Sequence, residues 1–207
     1  MTNHARRERS ALADLLEQVG PDAPTRCDGW ATRDLAAHLV LRDRRLDAAP
    51  GILGGPLAAH AERVRRSLAA GDYRELVAQV RGGPPPWNPL SLPALDRADN
   101  TLEYFVHHED VRRARPAWQP RVLDPGLESA LWGALRSGSR FLMRRSPVGV
   151  VLQDLGGRRV TARAGSPAVT LRGAPGELVL VAYGRGRVAR FAADGDPEPV
   201  LAARLGP

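Results

Sequence analysis

The sequence predicts an α+β protein, in which an up-down helical bundle is followed by a small antiparallel α/β domain. In residues 1–146 the apolar side chains recur at helical spacing, and Pro and Gly residues separate the segments. After Pro147, short runs rich in β-branched residues replace this pattern. The change near Ser146 predicts two domains, a helical bundle at 1–146 and a small α+β domain at 147–207.

The helices of the first domain are expected to be long and joined by short connections, which favours a bundle of roughly antiparallel neighbours. Thr32 is a typical N-cap residue, and Pro125 is typical of the first helical position. The Pro-rich loop at 82–89 cannot continue a helix. The predicted helices cover 3–19, 32 to the Pro50–Gly51 pair, 57–80 with a break at Gly71–Asp72, 92–114 and 125–143.

The second domain is expected to form an antiparallel meander that a short helix covers on one face. Gly156 and Gly157 are typical of a two-residue hairpin turn. Asp196 is the expected cap of the final helix. The predicted strands cover 148–152, 160–164, 169–171 and 178–181, and the predicted helix covers 197–205.

The composition indicates a folded chain in a reducing compartment. Of the 207 residues, 43% are hydrophobic and 26% are charged, which is close to the globular average. No apolar run is long enough for a membrane span, and the first residues lack the apolar stretch of a signal peptide. A single cysteine, Cys27, excludes an internal disulfide and a multi-cysteine metal site. We therefore expect a cytoplasmic protein without a membrane partner.

The net charge of +7 comes from 30 basic residues, all of them arginine, against 23 acidic ones. A basic balance raises the question of nucleic-acid binding, because arginine neutralises phosphates. The excess is spread over both predicted domains without a basic block. Most of these arginines are therefore expected on a solvated surface, and nucleic acid is not an expected partner.

Glu103 and His107 form the most informative pair in the sequence. Four residues apart on one helix, they are separated by about 40° around its axis, so a carboxylate and an imidazole lie on the same face. Asp99 and Asp110 fall on the same stripe. Taken alone, the pair is equally compatible with a solvated charged edge and with a chelating site.

His38 favours the chelating alternative. It lies at the margin of the apolar face of its own helix, where a lone histidine is more often a satisfied core residue than a ligand. Together with Glu103 and His107, however, it would complete two nitrogens and one carboxylate from two facing helices. Such a three-ligand set leaves one position open for water or a thiolate, as in catalytic metal sites.

Two motifs together resemble the mycothiol-dependent maleylpyruvate isomerase family, a branch of the DinB-like metal-binding bundles. The first is Thr25-Arg-Cys-Asp-Gly-Trp30 followed by Arg33-Asp-Leu-Ala-Ala-His38-Leu, and the second is Glu103-Tyr-Phe-Val-His107-His-Glu-Asp-Val-Arg112. The resemblance implies a four-helix bundle and a small sterol-carrier-like second domain. It also implies that His38, Glu103 and His107 bind a divalent metal, zinc in most members, with nickel as an alternative.

The resemblance further implies a thiol-dependent transferase or isomerase. In that family the metal favours the thiolate of mycothiol, which attacks a small electrophilic substrate. An arginine of the second domain helps to bind the anionic substrate, and Arg185, Arg187 or Arg190 could serve here. The family includes monomers and dimers, so a homodimer is compatible with it. A metal-stabilised binding or regulatory module without thiol chemistry is the alternative hypothesis.

The remaining candidate residues are expected to have structural roles. His108 lies about 100° from His107 on the helix and is expected to face away from the same metal. Cys27 has no catalytic motif around it. Trp30 and Trp87 are expected to pack in the core or at the bundle end, and a position at the border of a ligand cleft is the alternative for Trp87. His4 and His60 have no partner at ligand spacing and are expected in solvent.

Overall fold

The computed structural model describes residues 4–91 and 100–206 of the chain. The predicted helix at 92–114 begins in residues 92–99, which lie outside the described residues. Asp99, predicted on the same helix face as Glu103 and His107, also lies outside them. Within the described ranges, no helix is long and apolar enough to cross a membrane.

The first compact unit, Met1–Gln119, is helical. The helices are α1 (His4–Val19), α2 (Thr32–Arg44), α3 (Ala58–Ala69), α4 (Tyr73–Gly82) and α5 (Thr101–Arg113). Helix α1 packs along α5, and α2 packs against both α3 and α4. Leucine and alanine side chains of α1 and α2 form most of the core between them, together with Val77 and Val80 of α4.

Local signals explain where these helices begin and end. The predicted break at 71–72 is confirmed, because the Asp72 side chain caps α4 by accepting the backbone N–H groups of Arg74 and Glu75. Thr32 is the first residue of α2 rather than its cap, and the Asp34 carboxylate instead accepts the N–H of Ala31 at 3.0 Å. The residues that carry the site, on α2 and α5, are thus presented from regular helices.

The second compact unit, Pro120–Pro207, combines helices with a four-stranded mixed sheet. The strand order is β2-β1-β3-β4, in which β1 pairs with β3 in parallel while the other two pairs are antiparallel. The elements are α6 (Pro125–Leu142), β1 (Gly149–Gln153), β2 (Arg159–Arg163), β3 (Ala168–Arg172), α7 (Pro175–Ala182), β4 (Ala192–Asp194) and α8 (Glu198–Ala202). The α+β fold class predicted from the sequence is confirmed.

Two details of the predicted second domain are wrong. Residues 178–181 lie in α7, not in a strand, because Pro175 occupies a starting position of a helix whose residues are buried on all sides. The sheet is therefore not an antiparallel meander, since β3 pairs with β1 in parallel and the short β4 takes the edge.

The division between the two units falls after Gln119. Helix α6, which the sequence analysis assigned to the bundle, contacts α7 and β2 in the second unit. Its start matches the prediction, with Asp124 as the cap that accepts the N–H of Leu127 at 3.0 Å. The predicted domain boundary at 146–147 differs from the boundary between these compact units.

Candidate metal centre

Three predicted ligands converge in the first unit, one from α2 and two from α5. The Nε2 atoms of His38 and His107 each lie 3.2 Å from Oε1 of Glu103. The donor atoms of all three residues lie within 4.8 Å of one another. Both imidazole rings are buried, and they meet edge to face with their centroids 5.2 Å apart. His38 lies 65 residues before Glu103 in the sequence, so two helices that are distant along the chain present three donors to one point.

The other edge of the His107 ring is also occupied. Its Nδ1 lies 3.0 Å from Oδ2 of Asp110, one turn further along α5. The thiol of Cys27, in the loop before α2, donates to the same oxygen at 3.2 Å and lies 3.8 Å from the same ring nitrogen. Since Nδ1 faces Asp110, the nitrogen that His107 turns towards Glu103 and His38 is Nε2.

A buried polar network supports Glu103 from the side of α2. Arg42, one turn after His38, approaches Oε1 of Glu103 with its Nε at 3.7 Å. Its Nη1 donates to Asp43 at 3.0 Å and to Asn100 at 2.8 Å. The hydroxyl of Tyr104 donates to the other Asp43 oxygen at 2.7 Å. The network therefore places the buried positive charge of Arg42 next to Glu103.

The ring of His38 is covered by an aromatic side chain. Trp30, at the end of the loop before α2, lies against it with a centroid distance of 5.1 Å. The Arg65 guanidinium lies over the outer face of Trp30 at 5.0 Å and forms an ion pair with Asp34. Trp30 thus contacts both the core and a candidate ligand, in agreement with its predicted packing role.

These surroundings set the ionisation of the three candidate ligands. Burial lowers the pKa of His38, and the neighbouring His107 and Arg42 charges act in the same direction. Burial also opposes the charged forms of Glu103 and His107, but other contacts outweigh it. The Arg42 charge and the two imidazoles hold the pKa of Glu103 well below its ordinary value. Hydrogen bonds to Asp110, Cys27 and Glu103 raise the pKa of His107 well above its ordinary value.

The donor set fits a divalent metal ion. Two imidazole nitrogens and a carboxylate are ligands that zinc and nickel accept, and three protein ligands are typical of sites that keep an open position. His38 is favoured in its neutral, ligating form, and Glu103 is favoured as the anion. A second group, consisting of Cys27, His107 and Asp110, also brings its donor atoms within 4.8 Å of one another. The two groups share His107 and lie on opposite edges of its ring.

The other sequence candidates lie outside this cluster. His108 faces α1, where its Nδ1 lies 3.1 Å from a carboxylate oxygen of the buried Glu8. His60 pairs with Asp47 at the surface. In the second unit, Arg187 forms an exposed ion pair with Glu198, at 3.2 Å.

Arg185 and Arg190 also belong to the second unit. Arg185 donates to the carbonyl of Tyr183 at 2.6 Å, and the backbone N–H of Arg190 donates to Glu177 at 2.7 Å. A substrate-binding role for Arg185 or Arg187 stays a prediction.

Sequence reasoning missed the roles of Cys27, Arg42 and Asp110 around the ligands. Asp110 was visible as a stripe residue three positions after His107, and Arg42 as a residue one turn after His38. The contact between Cys27 and Asp110 joins residues 83 positions apart, which no local pattern could indicate.

Two solved structures are similar to this chain over nearly its whole length. A crystal structure of a histidine-to-alanine mutant of the mycothiol-dependent maleylpyruvate isomerase aligns with a TM-score of 0.64 and 17% identity, covering 95% of this chain and 93% of that one. A second crystal structure of the mycothiol-dependent maleylpyruvate isomerase aligns with a TM-score of 0.58 and 18% identity, with the same coverage. This chain has the fold of those isomerase structures.

The likeness supports the family resemblance noted in the sequence, and at this identity it shows the fold alone. No protein-family model and no curated protein sequence matches the chain. The function is therefore inferred from the residues of the site.

Proposed function

We propose that this chain is a divalent-metal-dependent enzyme of thiol chemistry, a mycothiol-dependent transferase or isomerase. The observation that carries the proposal is the convergence of His38 Nε2, Glu103 Oε1 and His107 Nε2, three donors from two helices to which the described residues 4–91 and 100–206 add no fourth ligand in the same group. Its fold, similar to that of mycothiol-dependent isomerases, is the second support.

A divalent metal held by His38, Glu103 and His107 would favour the thiolate form of a thiol cosubstrate at neutral pH. The chain's own residues prepare the site for that role. Arg42 lies beside Glu103 and favours its ionised form, and Trp30 packs against the His38 ring. A ligating nitrogen must be unprotonated, so metal binding at His107 Nε2 would compete with the protonated form that the raised pKa of His107 favours.

We further propose that zinc is the native metal, with nickel as an alternative, and that the substrate is a small anionic electrophile. Arg185 or Arg187 would bind its carboxylate by charge-assisted hydrogen bonds. Replacing each arginine by methionine is expected to raise KM with a smaller effect on kcat if that side chain binds substrate.

Metal content tests the site itself. After equilibrium dialysis against zinc, the wild-type chain should retain about one equivalent, whereas His107→Ala should retain none, because two donors do not hold the ion tightly. His60→Ala is the matched control, since it removes a partly exposed histidine that pairs with Asp47 at the surface. Equal, stoichiometric zinc in wild type and His107→Ala would contradict the assignment.

Thiol binding separates the enzyme from a metal-stabilised binding or regulatory module. Titration calorimetry of the zinc-loaded chain should detect mycothiol binding, and S-methylated mycothiol should bind far more weakly, because it has no thiol to ionise. A screen of electrophiles with mycothiol then identifies the reaction. A zinc-loaded chain that binds neither form would favour the non-enzymatic alternative.

A further inference from the structure

The Nδ1 edge of the His107 ring contacts polar side chains, as does the Nε2 edge that faces the proposed metal. Asp110 has no exposed side-chain surface, and its Oδ2 lies 3.0 Å from Nδ1 of His107. A carboxylate that is buried this completely is stable only when hydrogen-bond donors satisfy it. His107 is one such donor, and the Cys27 thiol, at 3.2 Å from the same oxygen, is another.

The loop before α2 is anchored so that Cys27 stays at this place. The backbone N–H of Arg26 donates to the carbonyl of Asp110 at 3.1 Å, and its Nε donates to the carbonyl of Arg113 at 2.8 Å. The Thr25 hydroxyl accepts the N–H of Cys27 at 3.1 Å and donates to the carbonyl of Trp30 at 2.8 Å. Arg26 therefore ties the loop to α5 next to the Cys27–Asp110 contact, and Thr25 holds the conformation of the loop itself.

This arrangement decides which nitrogen of His107 carries the proton. A neutral imidazole has one N–H and one lone pair, and the stronger acceptor takes the N–H. With Asp110 on Nδ1, the lone pair falls on Nε2, which faces Glu103 and His38. Metal-ligating histidines characteristically donate their other ring N–H to a carboxylate, which fixes the ring and raises its basicity.

We propose that Asp110 is a positioning residue that fixes His107 in the tautomer with the proton on Nδ1 and Nε2 directed to the metal, while the Cys27 thiol holds the Asp110 oxygen in place. The proposal rests on the proposed function, because it assigns His107 as a metal ligand. Asp110 acts through His107 and does not touch the metal or the substrate.

The competing arrangement is a metal bound on the Nδ1 edge by Cys27, His107 and Asp110, whose donor atoms also lie close together. Filling both edges at once would require an imidazole without a proton on either nitrogen. The Oδ2 atom of Asp110 already accepts from two donors, the Cys27 thiol and His107 Nδ1, and this satisfies the buried oxygen without a metal ion. We therefore infer that Asp110 and Cys27, on the Nδ1 edge, support His107 and do not bind the metal ion.

Zinc affinity, measured by competition with a chromophoric chelator, gives the first test. Asp110→Ala should weaken zinc binding about 100-fold and Asp110→Asn about 10-fold, since the range for loss of such a supporting group is about 10–100-fold and an amide oxygen still accepts the Nδ1 proton. Cys27→Ser should bind zinc like the wild type because serine keeps a donor. Asp28→Asn, which removes an exposed carboxylate next to Cys27, is the matched control and should have no effect.

Nitrogen NMR of the zinc-loaded chain reads the tautomer directly. In the wild type and in Cys27→Ser, His107 should show a protonated Nδ1 and a metal-bound Nε2, and in Asp110→Ala the two nitrogens should exchange roles in part of the molecules. A merely structural role of Asp110 would lower stability without moving these resonances. If Asp110→Ala does not fold, the isosteric Asp110→Asn tests the proposal through zinc affinity, which should fall about 10-fold because its amide oxygen is a weaker acceptor of the Nδ1 proton.

The outcomes separate the two proposals. Absence of zinc from the wild type would refute the proposed function. Zinc in the wild type with unchanged affinity and tautomer in both Asp110 variants would refute only the role of Asp110. In the cobalt-substituted chain without added thiol, a sulfur-to-cobalt charge-transfer band that Cys27→Ser abolishes would also refute it, because Cys27 would then be a ligand.

Discussion

Replacement of Arg42 by methionine should destabilise the metal-free chain substantially, because it leaves a buried carboxylate without its cation. Asp43 is 1% exposed, and its oxygens accept hydrogen bonds from Arg42 at 3.0 Å and from Tyr104 at 2.7 Å. In the described part of the chain, Tyr104 would remain as the side-chain donor to Asp43. Breaking a buried ion pair in this way costs about 3–5 kcal/mol of the free energy of unfolding.

The ability of Asp43 to take up a proton limits the loss, so we expect the lower end of the range, about 3 kcal/mol. For a chain of this size that corresponds to a Tm lower by about 6–12 °C, at about 2–4 °C per kcal/mol. Urea denaturation followed by circular dichroism measures the free energy. Arg66→Met is the matched control, because the Arg66 side chain is 74% exposed and its ion pair with Glu62 contributes about 0–1 kcal/mol.

The pH dependence identifies the cause of the loss. Burial already raises the pKa of Asp43, against the opposing effect of Arg42, so removing Arg42 should raise it further. A carboxyl whose pKa is higher in the folded than in the unfolded state favours folding more as the pH falls. The deficit of Arg42→Met should therefore shrink between neutral pH and about pH 4, and Asp43→Asn should restore part of it. A deficit that stays below about 1 kcal/mol, or that does not change with pH, would refute this account.

Three further predictions concern the rest of the fold. The hydrogen bonds of its arginine neighbours lower the pKa of Glu62 to about 2, so the stability it contributes should be lost as the pH falls from about 4.5 to 2, and acid titration of Glu62→Gln should lack this component. Leu152→Ala should cost about 2–5 kcal/mol in urea denaturation, whereas Leu155→Ala, at an exposed site, should cost much less; equal losses would contradict the assigned sheet core. Gly51→Ala should lower the Tm, because a Cβ there would collide with the carbonyl of Leu57, and an unchanged Tm would contradict that close approach.

The parts of the site that lie on one helix could be predicted from the sequence. Glu103 and His107 share a face because they are four residues apart, and Asp110 follows by the same helical periodicity. His38 comes from another helix, and its inward position and the family resemblance were needed to join it to the pair. The contact of Cys27 with Asp110 depends on how the loop before α2 folds onto α5, which no local spacing contains.

The second unit shows a different limit of sequence reasoning. The run Leu178–Val181 is apolar on every side, and a short run of this kind is compatible with both a buried strand and a buried helix. Pro175 and Glu177 were the available signals for a helix start, because proline suits the first turn and a carboxylate there interacts favourably with the helix dipole. That helix follows β3 directly. The alternation of residues along the strands alone did not indicate that β1 and β3 pair in parallel.

Anomalous diffraction from crystals of the zinc-loaded chain tests the central claim most directly. At the zinc absorption edge, the account predicts one peak about 2.0–2.2 Å from His38 Nε2, from a Glu103 oxygen and from His107 Nε2. A peak between Cys27 and Asp110 instead, or no ordered zinc near His38 and Glu103 in crystals shown to contain it, would contradict the account.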